Sequence, residues 1–451
     1  MTAQHIAVID IGKTNAKLAL VDAQTLTELA VDTRPNTVLP GPPYPHFDTE
    51  GHWAFLLDAL ARFHAAHRID AISITTHGAC AALLAADGTL AAPVLDYEDP
   101  RPGQSAAYAA LRPDFAETGS PRLAMGLNLG AQLHWQLAQD DGLAARTAQV
   151  VTYPQYWAHR LTGVAACDVT SLGCHTDLWN PWRAQPSALL ERLGLAGKLA
   201  PLQRCDAILG PILPDVARAT GLPAETPVVC GLHDSNASLL PHLLQREGAF
   251  SVVSTGTWVV VMTMGGAPVT LDPGRDTLVN VNALGQPVPS ARFMGGREYD
   301  EMRPHPEVAV SEQDRRAVLD RQLMLLPAVQ SDSGPYTGRV ARWTGDAEAG
   351  QRSVALSWYL ALMTAECLRM TGAQGPVIVE GPFARNADYC RMLSAATGLA
   401  VSEAAGRTGT AIGAALLLAP RRMAAPPPAP VVRDDALRAY AQLWQARVAQ
   451  A

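Results

Sequence analysis

The stretch Ile6–Val21, which reads IAVIDIGKTNAKLALV, sets two apolar runs on either side of a short polar turn. Both runs, Ile6–Asp10 and Ala16–Val21, suit strands, and the turn Gly12–Asn15 lies between them. The stretch therefore predicts a strand–turn–strand unit near the start of the chain.

The same pattern returns in the middle of the sequence. Ala249–Ser254 and Trp258–Thr263 are again apolar runs, and they flank the turn Thr255–Thr257. The two copies share architecture rather than residues. We therefore expect two related α/β lobes with a hinge near Pro241–Gly248.

The composition is that of an ordinary globular protein. The 451 residues include 35 Lys plus Arg and 42 Asp plus Glu, which gives a net charge of −7, and 48% are hydrophobic. This length predicts two to three domains. The acidic balance, without a basic stripe, argues against nucleic acid as a partner.

The chain also lacks the features of membrane and secreted proteins. The most apolar helical stretch, Ala355–Met370, is interrupted by polar and charged residues such as Glu366 and Arg369, so it predicts a core helix and no membrane span. Seven scattered cysteines do not suit a disulfide scaffold, and the first ten residues do not resemble a secretory signal. We expect a cytoplasmic protein.

Further elements follow from apolar periodicity and turn residues. The pattern predicts strands and helices in the order strand Ala71–Thr75, strand Thr226–Cys230, strand Pro376–Val379, and helices Trp53–Ala66, Gln132–Gln139, Ala355–Met370, Ala387–Ala396 and Thr410–Leu418. Ala424–Pro430 predicts a stiff linker, and the tail predicts a docked amphipathic helix.

The tripeptide Gly12-Lys13-Thr14 imitates the end of a Walker A loop. That motif needs a glycine where this chain has Ala7, and it needs a helix where a strand follows, so we reject it. A phosphate-gripping hairpin fits better: turn N–H groups, the side chains of Thr14 and Asn15 and the charge of Lys13 can meet phosphate oxygens. The alternative is a plain hairpin.

Asp10 ends the first strand beside this turn and suits a Mg²⁺ ion that keeps its waters. The turn Thr255-Gly256-Thr257 offers a second hydroxyl-rich grip, with an ordinary turn as its alternative. Asp234 follows His233 just past a predicted strand, where α/β proteins place ligands. It can accept the proton of an attacking hydroxyl or cap the next helix.

Three other clusters carry weaker signals. The loop Glu380–Asn386, with Thr397-Gly398 and Gly409-Thr410-Ala411, can let an adenine ring lie on backbone, and close packing of strand and helix is the alternative. His64 with His67, and Cys167 with Cys174 and His175, resemble metal ligands. His64 and His67 lack a nearby third ligand, so we interpret them as a surface pair. The spacing of Cys167, Cys174 and His175 fits no zinc pattern, so we interpret these three as structural.

The order of these motifs resembles the FGGY carbohydrate kinases, members of the actin-like, Hsp70-like ATPase superfamily. The resemblance runs from about Ile6 to Ala419. Supporting matches are Tyr97-Glu98-Asp99-Pro100-Arg101, Leu161-Thr162-Gly163 and Leu325-Leu326-Pro327. It implies an α/β fold of two actin-like (ribonuclease H-like) lobes with a nucleotide cleft between them. The expected division is 1–240, 241–423 and a 424–451 linker with terminal helix.

The resemblance also implies roles for individual residues. Asp234 is the expected catalytic base, and Asp10 is the carboxylate linked to Mg²⁺ through water. The expected ligands fall into three groups: Gly12, Lys13, Thr14, Asn15, Thr255, Gly256 and Thr257 for ATP phosphates; Gly381, Pro382 and Asn386 for adenosine; His77, Gly78, Asp99, His233 and Asp234 for the sugar.

The implied reaction is transfer of the ATP γ-phosphoryl group to a primary hydroxyl of a ketose. D-xylulose is the first candidate, and L-rhamnulose, L-fuculose, ribulose and tetruloses stay open. The partner is then a small sugar, with no nucleic acid or membrane, and a homodimer is expected from the resemblance. Two rivals are an ATP-switched binding module like actin or Hsp70 and a catalytically dead sugar sensor.

Overall fold

The computed structural model describes residues 3–404, 409–419, 427 and 429–450. The chain divides into two compact units. The first contains residues up to Gln245 together with Val279–Pro287 and the described part of 407–424; the second contains Arg246–Leu278, the described part of 288–406 and the described carboxyl-terminal residues. The predicted linker Ala424–Pro430 lies for the most part outside the described residues.

The first unit is built on a seven-stranded mixed sheet. Its strands are β1 (His5–Ile11), β2 (Asn15–Asp22), β3 (Thr27–Pro35), β4 (Ala71–Thr76), β5 (Ile208–Pro211), β6 (Pro227–Val229) and β7 (Leu232–His233). The order is β5-β6-β4-β1-β2-β3, with β7 also paired to β4. β1 runs antiparallel to β2 and parallel to β4, which confirms the predicted strand–turn–strand unit.

Both faces of this sheet are covered, which explains the continuous apolar run in β1. Ala7, Ile9 and Ile11 point into one buried cluster, whereas Ile6 and Val8 point into another. The helices of the first unit are Thr49–His67, Ala106–Leu111, Phe115–Thr118, Leu129–Gln139, Leu143–Arg146, Tyr153–Thr162, Val169–Leu172, Leu189–Arg192, Pro214–Thr220, Asp234–Gln245 and Thr410–Ala415, with a 3₁₀ turn at Pro102–Gln104.

Short strands complete the first unit. They are Val38–Leu39, His46–Phe47, Ala81–Leu84, Gln149–Thr152, Cys167–Asp168, Trp179–Asn180, Gln185–Pro186 and Leu202–Gln203.

A six-stranded sheet, most of it in the second unit, repeats this plan. Its strands are β8 (Phe250–Thr255), β9 (Val259–Met264), β10 (Thr277–Val281), β11 (Pro287–Phe293), β12 (Val377–Glu380) and β13 (Val401–Glu403), in the order β10-β11-β9-β8-β12-β13. β8 runs antiparallel to β9 and parallel to β12, as β1 does with β2 and β4. The predicted duplication is therefore present in the strand order.

A long apolar helix, Ala349–Met370, forms the centre of the second core. It begins six residues before the predicted Ala355. The tail helix Asp435–Gln450 buries Leu437, Tyr440, Trp444 and Val448, as its periodicity predicted. The remaining elements of this unit are Gly295–Met302, Glu312–Asp320, Ala387–Thr397, strands Leu325–Leu326 and Arg342–Trp343, and 3₁₀ turns at Pro273–Arg275 and Pro382–Arg385.

The helix that begins at Thr410 differs from expectation in two ways. It ends at Ala415 rather than Leu418, because the amides of Leu416, Leu417 and Leu418 bond three residues back and the last turn tightens. It also belongs to the first compact unit, although the sequence placed 241–423 in one lobe. Its apolar face packs on β1 and on helix Asp234–Gln245, and this packing explains the assignment.

Candidate active site

Asp10 lies one residue before the end of β1, opposite Lys17 of β2. Its Oδ2 accepts a hydrogen bond from the hydroxyl of Thr410, a residue that sequence reasoning had grouped with the adenine loop. Burial raises the pKa of Asp10, and the nearby charge of Asp234 adds to the effect while the Thr410 bond opposes it. A nearby cation would stabilise the ionised form of this buried carboxylate.

Hydrogen bonds within the turn after Asp10 and from Asn36 hold the turn in place. The amide of Gly12 donates to the Asn15 carbonyl at 2.9 Å. Asn36 donates its side-chain amide to the Gly12 carbonyl at 2.7 Å and its backbone N–H to the Thr14 carbonyl at 2.9 Å. The side chains of Thr14 and Asn15 are exposed, so both are available to an anion. Asn36 was missed because it follows β3 and contacts the turn across the sheet, where no local sequence signal joins the two.

Lys13 turns its amine toward the loop that contains the predicted sugar ligand Asp99. Its Nζ bonds Asp96 and lies 3.2 Å from Glu98 Oε2. It also lies 4.8 Å from the ring centre of Tyr97 and 5.1 Å from that of Phe47. The structure thus places this predicted phosphate ligand among carboxylates and aromatic rings.

His77 follows β4 and is enclosed by aromatic rings. Its ring centre lies 5.2 Å from that of Phe47, 5.1 Å from Tyr97 and 4.9 Å from Tyr153. Among the described residues neither ring nitrogen has a hydrogen-bond partner. Burial lowers the pKa of His77 to about 3, so the ring is neutral at ordinary pH and offers one donor and one acceptor. Such unpaired buried nitrogens suit a ligand rich in hydroxyl groups.

Asp234 begins the helix Asp234–Gln245, directly after β7. Its contacts with other described residues are made by Oδ1, which accepts from the Ser235 amide at 2.6 Å and lies 2.9 Å from His233 Nε2. Burial favours the neutral carboxyl, but His233 and the Ser235 amide outweigh it and lower the pKa of Asp234. The carboxylate is therefore ionised at neutral pH, with Oδ2 without a described protein partner.

His233 connects this carboxylate to a buried thiol. Its Nε2 lies 3.9 Å from Cys174 Sγ, and burial is outweighed by Cys174 and Asp234, so the pKa of His233 is raised. The pKa of Cys174 is lowered to about 5, because His175 and His233 outweigh its burial. Gly78 permits this arrangement, since a Cβ there would lie 2.7 Å from the His233 ring.

Asp99, a predicted sugar ligand, is paired with Arg101. Its carboxylate accepts from the Arg101 Nε and amide, at 2.9 and 3.0 Å, and the Arg101 guanidinium lies 4.5 Å from the Trp135 ring centre. Burial opposes ionisation, but the bonds from Arg101 lower the pKa of Asp99. Asp99 thus lies in the same loop as Asp96 and Glu98, the partners of Lys13.

The second unit contains a cavity of about 690 Å³ next to the predicted nucleotide residues. This size lies within the range of small-molecule sites. The predicted lining residues are Gly256, Thr257, Pro382 and Asn386, and those that sequence reasoning missed are Gly296, Arg297, Tyr299, Asp300, Phe383 and Arg385.

Close backbone packing shapes this cavity. A Cβ on Gly296 would lie 2.0 Å from the Gly256 carbonyl oxygen, and one on Gly381 would lie 1.9 Å from the Thr255 carbonyl oxygen. Thr255 donates its hydroxyl to the Glu380 carbonyl and accepts from the Phe383 amide at 3.1 Å. Thr255 and Gly381 therefore connect the turn to the loop after β12, and neither lines the cavity.

Asn386 lines the cavity and also caps a helix. Its Oδ1 accepts from the Tyr389 amide at 3.1 Å, and its side-chain amide donates to Ser357 Oγ at 3.0 Å. Larger cavities of about 920 and 1060 Å³ occur in the first unit, but no predicted site residue lines them.

Within the described part of the chain, no three His, Cys, Asp or Glu side chains are grouped to hold a metal ion. A single carboxylate such as Asp10 still suits Mg²⁺, which usually keeps several waters and takes few protein ligands. Over the same residues, no helix has the length and hydropathy to cross a bilayer.

Comparison with known families matches both halves of the chain. The profile described as the FGGY family of carbohydrate kinases, N-terminal domain, matches residues 5–241, and that of carbohydrate kinase FGGY, C-terminal domain, matches residues 247–426. An L-fuculokinase from Salmonella typhi is 28% identical over 280 residues, which are 59% of this chain and 58% of that protein. The matched region thus spans little more than half of this relative.

Solved structures give a closer likeness. A carbohydrate kinase from Novosphingobium aromaticivorans has a TM-score of 0.89 at 37% identity, covering 98% of this chain and all of the other. A xylulose kinase from Lactobacillus acidophilus has a TM-score of 0.78 at 15% identity, covering 99% of this chain and 97% of the other, and supports the fold alone. The predicted fold class, two actin-like α/β lobes, is confirmed.

Proposed function

We propose that this chain, which belongs to the FGGY family of carbohydrate kinases, transfers the γ-phosphoryl group of ATP to a primary hydroxyl of a ketose. The observation that supports this most is the state of Asp234. Its Oδ1 is held by His233 and Ser235, while Oδ2 has no partner among the described residues. An ionised carboxylate with one oxygen held and one available is suited to act as a general base.

In the proposed reaction, Asp234 Oδ2 accepts the proton of the sugar hydroxyl. The hydroxyl oxygen forms a bond to the γ-phosphorus, and the bond from that phosphorus to the β–γ bridging oxygen breaks, which releases ADP. Phosphoryl transfer of this kind depends mainly on alignment and on neutralising charge. The exposed residues Thr14, Asn15 and Thr257 of the two turns would supply side-chain donors for the phosphates.

Asp10 is the group best suited to a cation. It is a buried carboxylate whose pKa is raised by burial and which has a hydroxyl partner in Thr410, so a nearby positive charge would stabilise its ionised form. When bound, Mg²⁺ would neutralise charge on the phosphate oxygens. The cavity beside Gly256 and Asn386 has room for the adenosine part of ATP.

The sugar would lie against His77, whose two ring nitrogens lack partners among the described residues. We propose D-xylulose as the first candidate; L-fuculose, L-rhamnulose, ribulose and tetruloses stay open, and the L-fuculokinase relative supports including L-fuculose. The test is ADP release, measured with a coupled assay, in the presence of each ketose and Mg²⁺.

ADP release that depends on one ketose would support the proposal. ATP hydrolysis that no ketose changes would overturn it and favour the ATP-switched binding module. Cytoplasmic location and a homodimer belong to the same proposal; size-exclusion chromatography with light scattering tests the dimer.

A further inference from the structure

The side chain of Lys13 does not point where its place in the sequence predicts. Its neighbours Gly12 and Thr14 belong to the phosphate turn, but its amine meets Asp96 and Glu98. Asp96 is nearly buried and is fixed by its own backbone, because its amide donates to the Pro45 carbonyl at 3.0 Å. The direction of the Lys13 side chain is thus set by an ordered carboxylate rather than by solvent.

The rings beneath the Lys13 amine are those that enclose His77. Phe47 and Tyr97 lie within about 5 Å of the amine and within about 5 Å of the His77 ring. Lys13 and His77 therefore contact the same two rings, Phe47 and Tyr97, which we call the aromatic wall. An ammonium group has three N–H donors; one bonds Asp96, and the amine also lies 3.2 Å from Glu98 Oε2, so at least one donor is left for a ligand oxygen.

We propose that Lys13 binds the sugar rather than the ATP phosphates and is a specificity-determining residue of this kinase, an inference that rests on the proposed function. The amine donates to an oxygen of the ketose, while Asp96 and Glu98 hold it in place. Its side chain reaches the wall around His77 across the aromatic faces of Phe47 and Tyr97.

The charges of this loop also indicate the class of sugar. Lys13 and Arg101 face the carboxylates of Asp96, Glu98 and Asp99, so neither cation lacks a counter-ion. The loop is negative overall, which disfavours a substrate carboxylate. The loop, with the Lys13 charge balanced by Asp96 and Glu98, therefore selects neutral ketoses over sugar acids such as aldonates.

The first experiment replaces Lys13 by methionine, which keeps the length of the side chain and removes the charge. Isothermal titration measures binding of the ketose without ATP and of a non-hydrolysable ATP analogue without ketose. We expect ketose affinity to fall about tenfold or more and nucleotide affinity to change less than about twofold, because a hydrogen bond from a charged group is lost on the sugar side only.

Lys17→Met is the matched control. Lys17 lies on the same hairpin and pairs with Glu28 at 2.6 Å, so its loss removes a like charge outside the aromatic wall. Ketose affinity of this variant should stay within about twofold of the wild type. If Lys13→Met is unstable in thermal unfolding, Lys13→Met with Asp96→Asn removes the unpaired carboxylate and answers the same question.

The second experiment removes the counter-ions and keeps the lysine. Asp96→Asn with Glu98→Gln leaves the Lys13 charge unopposed, so kcat/KM for D-gluconate relative to the best ketose should rise about tenfold or more. An unchanged or lower ratio would overturn the charge argument. Loss of nucleotide affinity in Lys13→Met, with ketose affinity intact, would assign Lys13 to the phosphates instead.

The two proposals can fail separately. A wild type that binds a ketose but transfers no phosphoryl group would remove the proposed function, while the titrations would still decide the role of Lys13. A wild type that binds no ketose at all would overturn both proposals.

Discussion

Asp234→Asn is the substitution that isolates the proposed chemistry. Oδ1 makes the contacts that hold the side chain, to the Ser235 amide at 2.6 Å and to His233 Nε2 at 2.9 Å. Asparagine can keep an acceptor oxygen at that position and replaces only Oδ2 by an amide, which cannot accept a proton. Alanine would instead leave His233 without its partner, so it is the poorer test.

The size of the effect follows from the role of Oδ2. General-base catalysis contributes about 10²–10⁴ in rate, which corresponds to about 2.7–5.5 kcal/mol of transition-state stabilisation. Because the pKa of Asp234 is lowered, its carboxylate is already ionised well below neutral pH. The deficit of the variant should therefore be constant between about pH 6 and pH 8.

The assay is steady-state ADP release with the best ketose, combined with titration of an ATP analogue and thermal unfolding. We expect kcat to fall at least about 10²-fold while nucleotide affinity and unfolding temperature stay near the wild-type values. A kcat within about threefold of the wild type would remove Asp234 from the mechanism, because a loss that small is far below the rate contribution of a general base.

Three further predictions concern the surroundings of the site. His77→Phe keeps the ring packing and removes both nitrogens, so KM for the ketose should rise about tenfold or more with KM for ATP unchanged; equal effects on both would contradict a sugar-side role. Burial lowers the pKa of His52 to about 4, so this residue alone should contribute a fall of roughly 3 kcal/mol in the free energy of unfolding as pH drops from about 6.5 towards 4; in urea unfolding, the pH dependence of His52→Gln should be smaller than that of the wild type by this amount. Gly413→Ala places a Cβ 1.7 Å from the Ala237 carbonyl oxygen and should cost about 1–3 kcal/mol in urea unfolding, whereas Gly409→Ala, whose Cβ would meet no atom of the described residues within 4 Å, should cost far less.

The repeated hairpins were readable from sequence because strand periodicity and turn residues are local signals. The predicted runs Ile6–Asp10 and Ala16–Val21 correspond to β1 and β2 with differences of one residue at each end. The position of Asp234 after a buried strand was readable for the same reason. In both cases the signal lies within a few neighbouring residues.

The surroundings of these residues were not readable. The rings around His77 come from Phe47, Tyr97 and Tyr153, which lie on three separate segments, and nothing in their spacing joins them. Lys13 stands in a tripeptide typical of phosphate binding, but its four-carbon side chain can point either way, and a carboxylate 83 residues along the chain sets its direction. Such pairings depend on tertiary structure and leave no local mark.

The bond between Thr410 and Asp10 joins residues 400 positions apart within one compact unit. During synthesis the sheet around β1 emerges long before the helix Thr410–Ala415, whose Ala411, Ile412 and Ala415 cover the apolar cluster containing Ile6 and Val8. A nascent or truncated chain ending near Gln245 would therefore expose that cluster to water and to other chains. The first unit therefore cannot complete its core until the helix Thr410–Ala415 has emerged, and chaperone demand should persist until nearly the whole polypeptide has left the ribosome.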